Sequence, residues 1–241
     1  MNMKVEALVL RNVDYGENDK IVTLFSIEHG KITARAKGVK KDKALLKFSI
    51  QPFAFCEYIL AKKGDRNTIT HATLIDAFYE IRTDILKLYT ASAITTILDC
   101  ILYENIVNAE LFLYTIQALK ELTTGQTIEI FIRYFLKVLE LSGYALQVES
   151  CAKCGKDLQG IVNIELKSGL LYCRDCQSGA GVSAETIEVL KRASGKQFVE
   201  ELCTKEGERR AIKLLHSYFK VQIDTSCSAI FDTLLQLLQE Q

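Results

Sequence analysis

The sequence predicts an α+β multidomain chain: a small five-stranded barrel at the front, then an α-helical domain interrupted by a four-cysteine module. Three observations carry this. Short runs rich in Val, Ile, Thr, Phe and Tyr, with partial alternation, fill residues 4–75. Apolar residues recur at three- and four-residue spacing after that point, and the helical region contains the pattern C-x2-C-x18-C-x2-C. At 241 residues with 49% apolar side chains, the chain has material for one large core or two small ones. The expected division is a barrel over 1–77 and a helical domain over 78–241, with the cysteine module inserted at 148–180.

Five strands fit the first part, at about 4–11, 20–27, 31–37, 52–61 and 67–75. They are broken by Asp14-Tyr15-Gly16, Glu28-His29-Gly30 and Lys63-Gly64-Asp65. The tightest signal is IVTLFSIEHGKITARAKG, two strands joined by a short glycine-bearing turn. An SH3-like barrel satisfies the same pattern, but an oligonucleotide-binding (OB) barrel better suits five strands with a long basic connection between the third and fourth. Tyr15 and Gly16 read as turn geometry, and Glu17 and Asp19 as local hydrogen bonding. Helices are expected over 78–104, 109–123 and 126–142, punctuated by Gly125 and Gly143. Ser183 with Glu185 starts another that ends near Gly195, and 205–221 and 226–239 complete the set. A single proline, Pro52, agrees with long helices.

Of the eight cysteines, Cys151, Cys154, Cys173 and Cys176 form the paired pattern. Two CxxC knuckles at this separation, in a chain without an export signal, are expected to hold zinc and not disulfides. Four thiolates at about 2.3 Å close a tetrahedral shell, so the metal would organise a fold and could not activate a water. The segment GIVNIELKSGLLYC reads as two short strands turning near Lys167-Ser168-Gly169, and Gly155 follows the first knuckle. Cys56, Cys100, Cys203 and Cys227 lie in apolar segments and read as small hydrophobic residues.

The charge is uneven. The whole chain carries 30 basic and 30 acidic side chains, yet residues 1–70 hold 13 basic against 8 acidic, and 31–47 hold seven Lys or Arg against Asp42 alone. Such a cluster is the footprint of a polyanion site, with a solvated loop as the bland alternative. Lys31, Arg35, Lys37, Lys40, Lys41, Lys43 and Lys47 are the candidate phosphate contacts, with Arg11 and Lys62 behind them because strand alternation decides their face. Phe25, Phe48, Phe53, Phe55 and Tyr58 could stack on bases, but a barrel this small needs most of its aromatics for the core.

Ordinary catalytic patterns do not occur. His29, His71 and His216 fall in a turn, a strand and a helix without HExxH or HxE spacing and read as structural. GxxxxGK[ST], GxGxxG after a strand and GxSxG are all missing, so binding is the better class. No uncharged apolar run reaches the roughly 18–20 residues of a membrane helix, and the opening MNMKVEALVLRNVDYGE carries no leader-type cleavage site. A cytoplasmic location is expected.

The run ALVLRNVDYGENDKIVTLFSIEHGKITARAKGVKK closely resembles the amino-terminal signature of the bacterial RecO recombination-mediator family. The positions carrying it are Tyr15, Gly16, Glu17, Asp19, Ile21, Val22, Leu24, Phe25, Gly30, Lys31, Ala36, Lys37 and Gly38, and the order barrel, helices, inserted four-cysteine module matches as well. The loop after Gly38 departs from the family's frequent Arg and Ser, reading VKKDKALLK, which keeps charge but not guanidinium geometry. The resemblance implies a nucleoid-associated DNA repair factor without catalytic turnover. Such a factor binds single- and double-stranded DNA, anneals complementary strands, and works with RecR and single-strand-binding protein to load RecA. Two rivals remain at this stage: a zinc-ribbon protein–protein adaptor without direct DNA binding, and a nuclease, against which the dispersed acids argue.

Overall fold

The computed structural model describes residues 2–223 and 228–239. Its contacts divide the chain into two compact units, Met1–Thr123 and Thr124–Gln241. In the first, β1 (Asn2–Tyr15), β2 (Asp19–Ser26), β3 (Gly30–Ala36), β4 (Phe55–Lys63) and β5 (Arg66–Asp76) close into a barrel in the order β1-β2-β3-β5-β4. Four contacts of that ring are antiparallel and the β3–β5 closure is parallel, pairing Ala34 with Asn67 and Ala36 with Ile69. This is the OB topology. Alternation explains the core: Val5, Ala7, Val9, Val22, Leu24, Ile32, Ala34, Ala36, Cys56, Tyr58, Leu60 and Ile69 all point inward. Cys56 fills interior space as a small apolar residue, and burial raises its thiol pKa.

Two strand limits differ from expectation for identifiable reasons. β1 continues to Tyr15 because it pairs with β2 as far as Tyr15–Asp19, turning through Gly16 at φ 64°. β4 starts at Phe55 and not near 52, because Pro52 has no N–H for a ladder and Phe53 takes φ 67° to donate its N–H to Val9 O at 3.1 Å.

The expected helix over 78–104 begins later. Phe78 sits at φ 45° before a short 3-10 turn, Tyr79–Thr83; Asp84 then caps α1 (Ile85–Ile101), accepting the Lys87 N–H at 3.0 Å. Ile94, Ile97 and Leu98 form its buried face, and α2 (Ala109–Thr124) buries Leu111, Phe112, Ile116 and Leu119. Phe112 meets Phe25 edge-on at 5.3 Å and Phe55 at 5.8 Å, so these strand aromatics lie under a helix.

The second unit holds α3 (Thr127–Leu141), α4 (Ala184–Ala193), α5 (Lys205–Ile223) and α6 (Ser228–Leu237). Ser183 caps α4, accepting from the Thr186 N–H at 3.4 Å. The core is aromatic: Phe131, Phe135, Phe219 and Phe231 lie with ring centroids 5.6–6.3 Å apart, and His216 stacks flat on Phe231 at 4.1 Å. Between α3 and α4 a three-stranded sheet, β6 (Val162–Glu165), β7 (Leu170–Cys173) and β8 (Ala180–Val182), is ordered β7-β6-β8. Residues 226 and 227, including Cys227, at the expected start of the last helix, lie outside the described residues. Among the described residues no helix is long and apolar enough to cross a membrane.

Candidate nucleic-acid interface and metal centre

The basic segment starts on β3 and leaves the barrel beside the β1–β2 turn. Asp19, first residue of β2, fixes the exit: its carboxylate accepts the Gly38 N–H at 2.7 Å and Arg35 Nε at 2.6 Å. The Gly38 amide first, then Arg35, holds the Asp19 carboxyl below the usual carboxylate range. The Arg35 guanidinium also lies over the Tyr15 ring, 5.1 Å from its centroid. One step further, the Lys40 N–H donates to Asn18 O at 3.0 Å, while Lys40 Nζ reaches Asp14 at 2.8 Å. Asp14 also faces Lys20 at 3.4 Å, and Lys40 followed by Lys20 lowers its pKa.

Beyond Gly38 the chain runs as phased turns, Lys41 N to Gly38 O, Ala44 N to Lys41 O and Lys47 N to Ala44 O, into a 3-10 turn at Phe48–Ile50. Buried Val39 and half-buried Leu46 tack this segment to the barrel core. Lys37, Lys41, Lys43 and Lys47 are exposed, and none has an ion-pair partner among the described residues. The structure therefore brings Arg35, Lys37, Lys40, Lys41, Lys43 and Lys47 to one end of the barrel, two of the six already paired to acids of the β1–β2 turn.

Lys31 is placed differently. Its side chain is 14% exposed and pairs with Asp99 of α1 at 2.8 Å, while Arg11 holds the same carboxylate at 2.6 Å. The turn after α1 closes over this part of β3: the Asn105 N–H donates to Lys31 O at 3.0 Å and Thr33 Oγ1 to Glu104 at 2.9 Å. The outward β2–β3 surface, where OB barrels commonly receive oligonucleotides, is thus covered at its Lys31 end by the protein's own chain. Lys31 lies about 13 Å along the strand from Arg35, its ammonium held by the Asp99 carboxylate that Arg11 shares. Lys62 is exposed at the end of β4, next to the β4–β5 turn.

Among the aromatics, Phe25, Phe53, Phe55 and Tyr58 are buried, and only Phe48 is open, at 42% exposure. Sequence reasoning missed Leu45, which stands in the middle of the lysines at 89% exposure, and took Tyr15, half exposed under Arg35, for turn geometry alone. The available signal was an apolar pair set inside KKDKALLKF with no strand pattern to bury both members.

In the second unit the Sγ atoms of Cys151, Cys154, Cys173 and Cys176 all lie within 4.8 Å of one another, with Cys154 and Cys173 at 3.8 Å. Each pair sits on a tight knuckle: the Gly155 N–H donates to Cys151 O at 2.9 Å, with Gly155 at φ 71°, and the Cys176 N–H donates to Cys173 O at 3.1 Å. β7 delivers Cys173, and the β6–β7 hairpin aligns the knuckles. Burial opposes ionisation of Cys151, but the amides of Cys154, Cys173 and Lys153 outweigh it and bring the thiol down to about 6. Cys176 is pushed up to about 12, chiefly by its hydrogen bonds with Cys173 and Cys154. Four thiolates so close cannot all be charged without a cation among them, so this soft, closed donor set fits a metal ion. The other cysteines described take no part: Cys56 is in the barrel, Cys100 on α1, and Cys203 Sγ is 3.7 Å from Val199 O.

Comparison with known proteins gives a consistent picture. Residues 1–78 match the family model described as "Recombination protein O N terminal", and residues 82–226 the one described as "Recombination protein O C terminal". A DNA repair protein RecO of Shouchella clausii is 33% identical over 177 residues, 73% of this chain and 69% of that protein. One from Syntrophomonas wolfei is 32% identical over 195 residues, covering 79% and 78%. One from Desulforamulus reducens is 33% identical over 193 residues, covering 78% and 75%.

Proposed function

The chain belongs to the RecO family of DNA repair and recombination proteins, and from that premise we propose that it binds single- and double-stranded DNA and anneals complementary single strands. In this reading it helps load RecA onto strands coated by single-strand-binding protein, together with RecR, in the cytoplasm at the nucleoid, and no catalytic residue is needed. The observation that carries the reading is the group of four exposed lysines, Lys37, Lys41, Lys43 and Lys47, with no ion-pair partner among the described residues, on one loop at one end of an OB barrel. Arg35 and Lys40 are partly engaged reserves beside them.

The mechanism is electrostatic. Cations lining a strand displace its condensed counterions, and the released ions supply most of the affinity without reading sequence. Annealing follows from the same charge: a strand whose phosphates are partly neutralised repels a second strand less, and two strands attracted to one surface meet at higher local concentration.

The four cysteines would hold a single structural Zn2+, which draws the two knuckles together and leaves no open position for a substrate. Cys151, Cys154, Cys173 and Cys176 supply the ligands, while β6 and β7 set their spacing.

Replacing Lys41, Lys43 and Lys47 together by Gln tests the DNA reading. Binding of a single-stranded oligonucleotide should weaken, and the slope of log K against log salt should fall by about 2, roughly 0.7 for each lost contact. An unchanged slope would refute the assignment. Metal analysis of the purified protein should give about one zinc per chain.

A further inference from the structure

We propose that Leu45 and Phe48 form the base-contacting part of this loop and give it a preference for single strands over duplex. The inference rests on the DNA-binding reading above and adds what part of the nucleic acid is touched. Two successive turns, closed by the Ala44 N–H to Lys41 O at 3.1 Å and the Lys47 N–H to Ala44 O at 3.3 Å, lead into the 3-10 turn Phe48–Ile50. Leu45 lies between Lys43 and Lys47 in the chain and Phe48 directly follows Lys47, while Leu46 packs against the barrel core.

The loop thus sets two apolar side chains among its exposed lysines. Leu45 is 89% exposed and Phe48 42%. Neither is needed by the barrel, whose interior is filled without them. A polynucleotide presents the matching chemistry, charged phosphates along one side and apolar base faces along the other. Only a single strand leaves those faces open; in duplex they are stacked on one another and an apolar side chain finds phosphate and sugar instead. An anionic membrane also offers charge over apolar matter, but holding a protein there takes a broad apolar face, and this loop offers two side chains.

The sequence contains no tryptophan, so Leu45→Trp places a single indole, excitable apart from the ten tyrosines, at the point of contact. The exposure of Leu45 means the fold is not asked to accommodate the larger ring, and an unchanged melting temperature checks that. Oligothymidylate should quench the indole emission of this variant strongly at saturation, while duplex of the same length should leave it nearly unchanged. Leu45→Ser should weaken single-strand binding roughly five- to tenfold with the salt slope unaltered, because base contact releases no counterions. If both variants bind as the parent does and the emission is unmoved, the base contact is wrong while the phosphate reading stands. If the parent shows no salt-dependent DNA binding, both fall. A blue shift with phosphatidylglycerol vesicles but not with oligothymidylate would overturn the proposal in favour of a lipid surface.

Discussion

Asp14 and Asp19 set how much positive charge the loop presents. Asp19 ties down the Gly38 amide and Arg35, so its carboxylate stabilises the fold when ionised. Because its folded pKa lies below the usual value of about 3.9, that contribution is complete above pH 4 or so and disappears as pH falls through the folded value. Asp19→Asn should therefore lower barrel stability at neutral pH, with the gap from the parent closing as the solution is acidified below about pH 4, as urea melts across that range would record. Asp14 acts on charge without fixing the loop's exit. Asp14→Asn frees Lys40, while Lys20 stays on Asn12 Oδ1 at 2.7 Å, and DNA binding should tighten with a salt slope steeper by roughly 0.7 as Lys40 joins the contact. A slope no steeper than the parent's would mean Lys40 does not reach the strand.

The elements explain several signature positions that look interchangeable in sequence. Gly30 opens β3 at φ 68°, and a Cβ there would fall 1.9 Å from Ile106 O on the turn after α1. Gly30→Ala should destabilise the protein by about 2–4 kcal/mol, combining a left-handed backbone with displacement of a packed segment; a urea midpoint like the parent's would contradict this. The turn at Gly30 was legible in the sequence, but the approach of Ile106 was not, because nothing local encodes a contact 76 residues away. The same limit applies to Lys31, whose charge reads as part of the polyanion site until Asp99, 68 residues on, is found holding it. What periodicity could deliver it did: five strands, the α1–α2–α3 helices and the β6–β7 hairpin follow from alternation and glycine placement. It could not deliver β8, Ala180–Val182, too short to show a period, or the late start of α1, which depends on Asp84 capping. The cysteines were the most legible feature, since the spacing of two knuckles fixes most of their geometry in advance.

At the scale of the molecule, the proposed DNA contacts and the proposed metal site fall in different units: Lys37, Lys41, Lys43 and Lys47 lie in the first and the four-cysteine cluster in the second. Removing the metal with a chelator should lower the melting temperature of the second unit while leaving the salt slope of oligonucleotide binding as it was. A slope that changed with the metal would show that the cluster takes part in the DNA contact. The positions of Asp99 and Glu104 carry one more implication. By covering the Lys31 end of the β2–β3 face they shorten that flank, and in the proposed reading a nucleic acid is held chiefly at the rim. A rim grips few nucleotides and walls off none of them, so nucleobases on the far side would stay open to Watson–Crick partners arriving from solution, which a deep channel would hide.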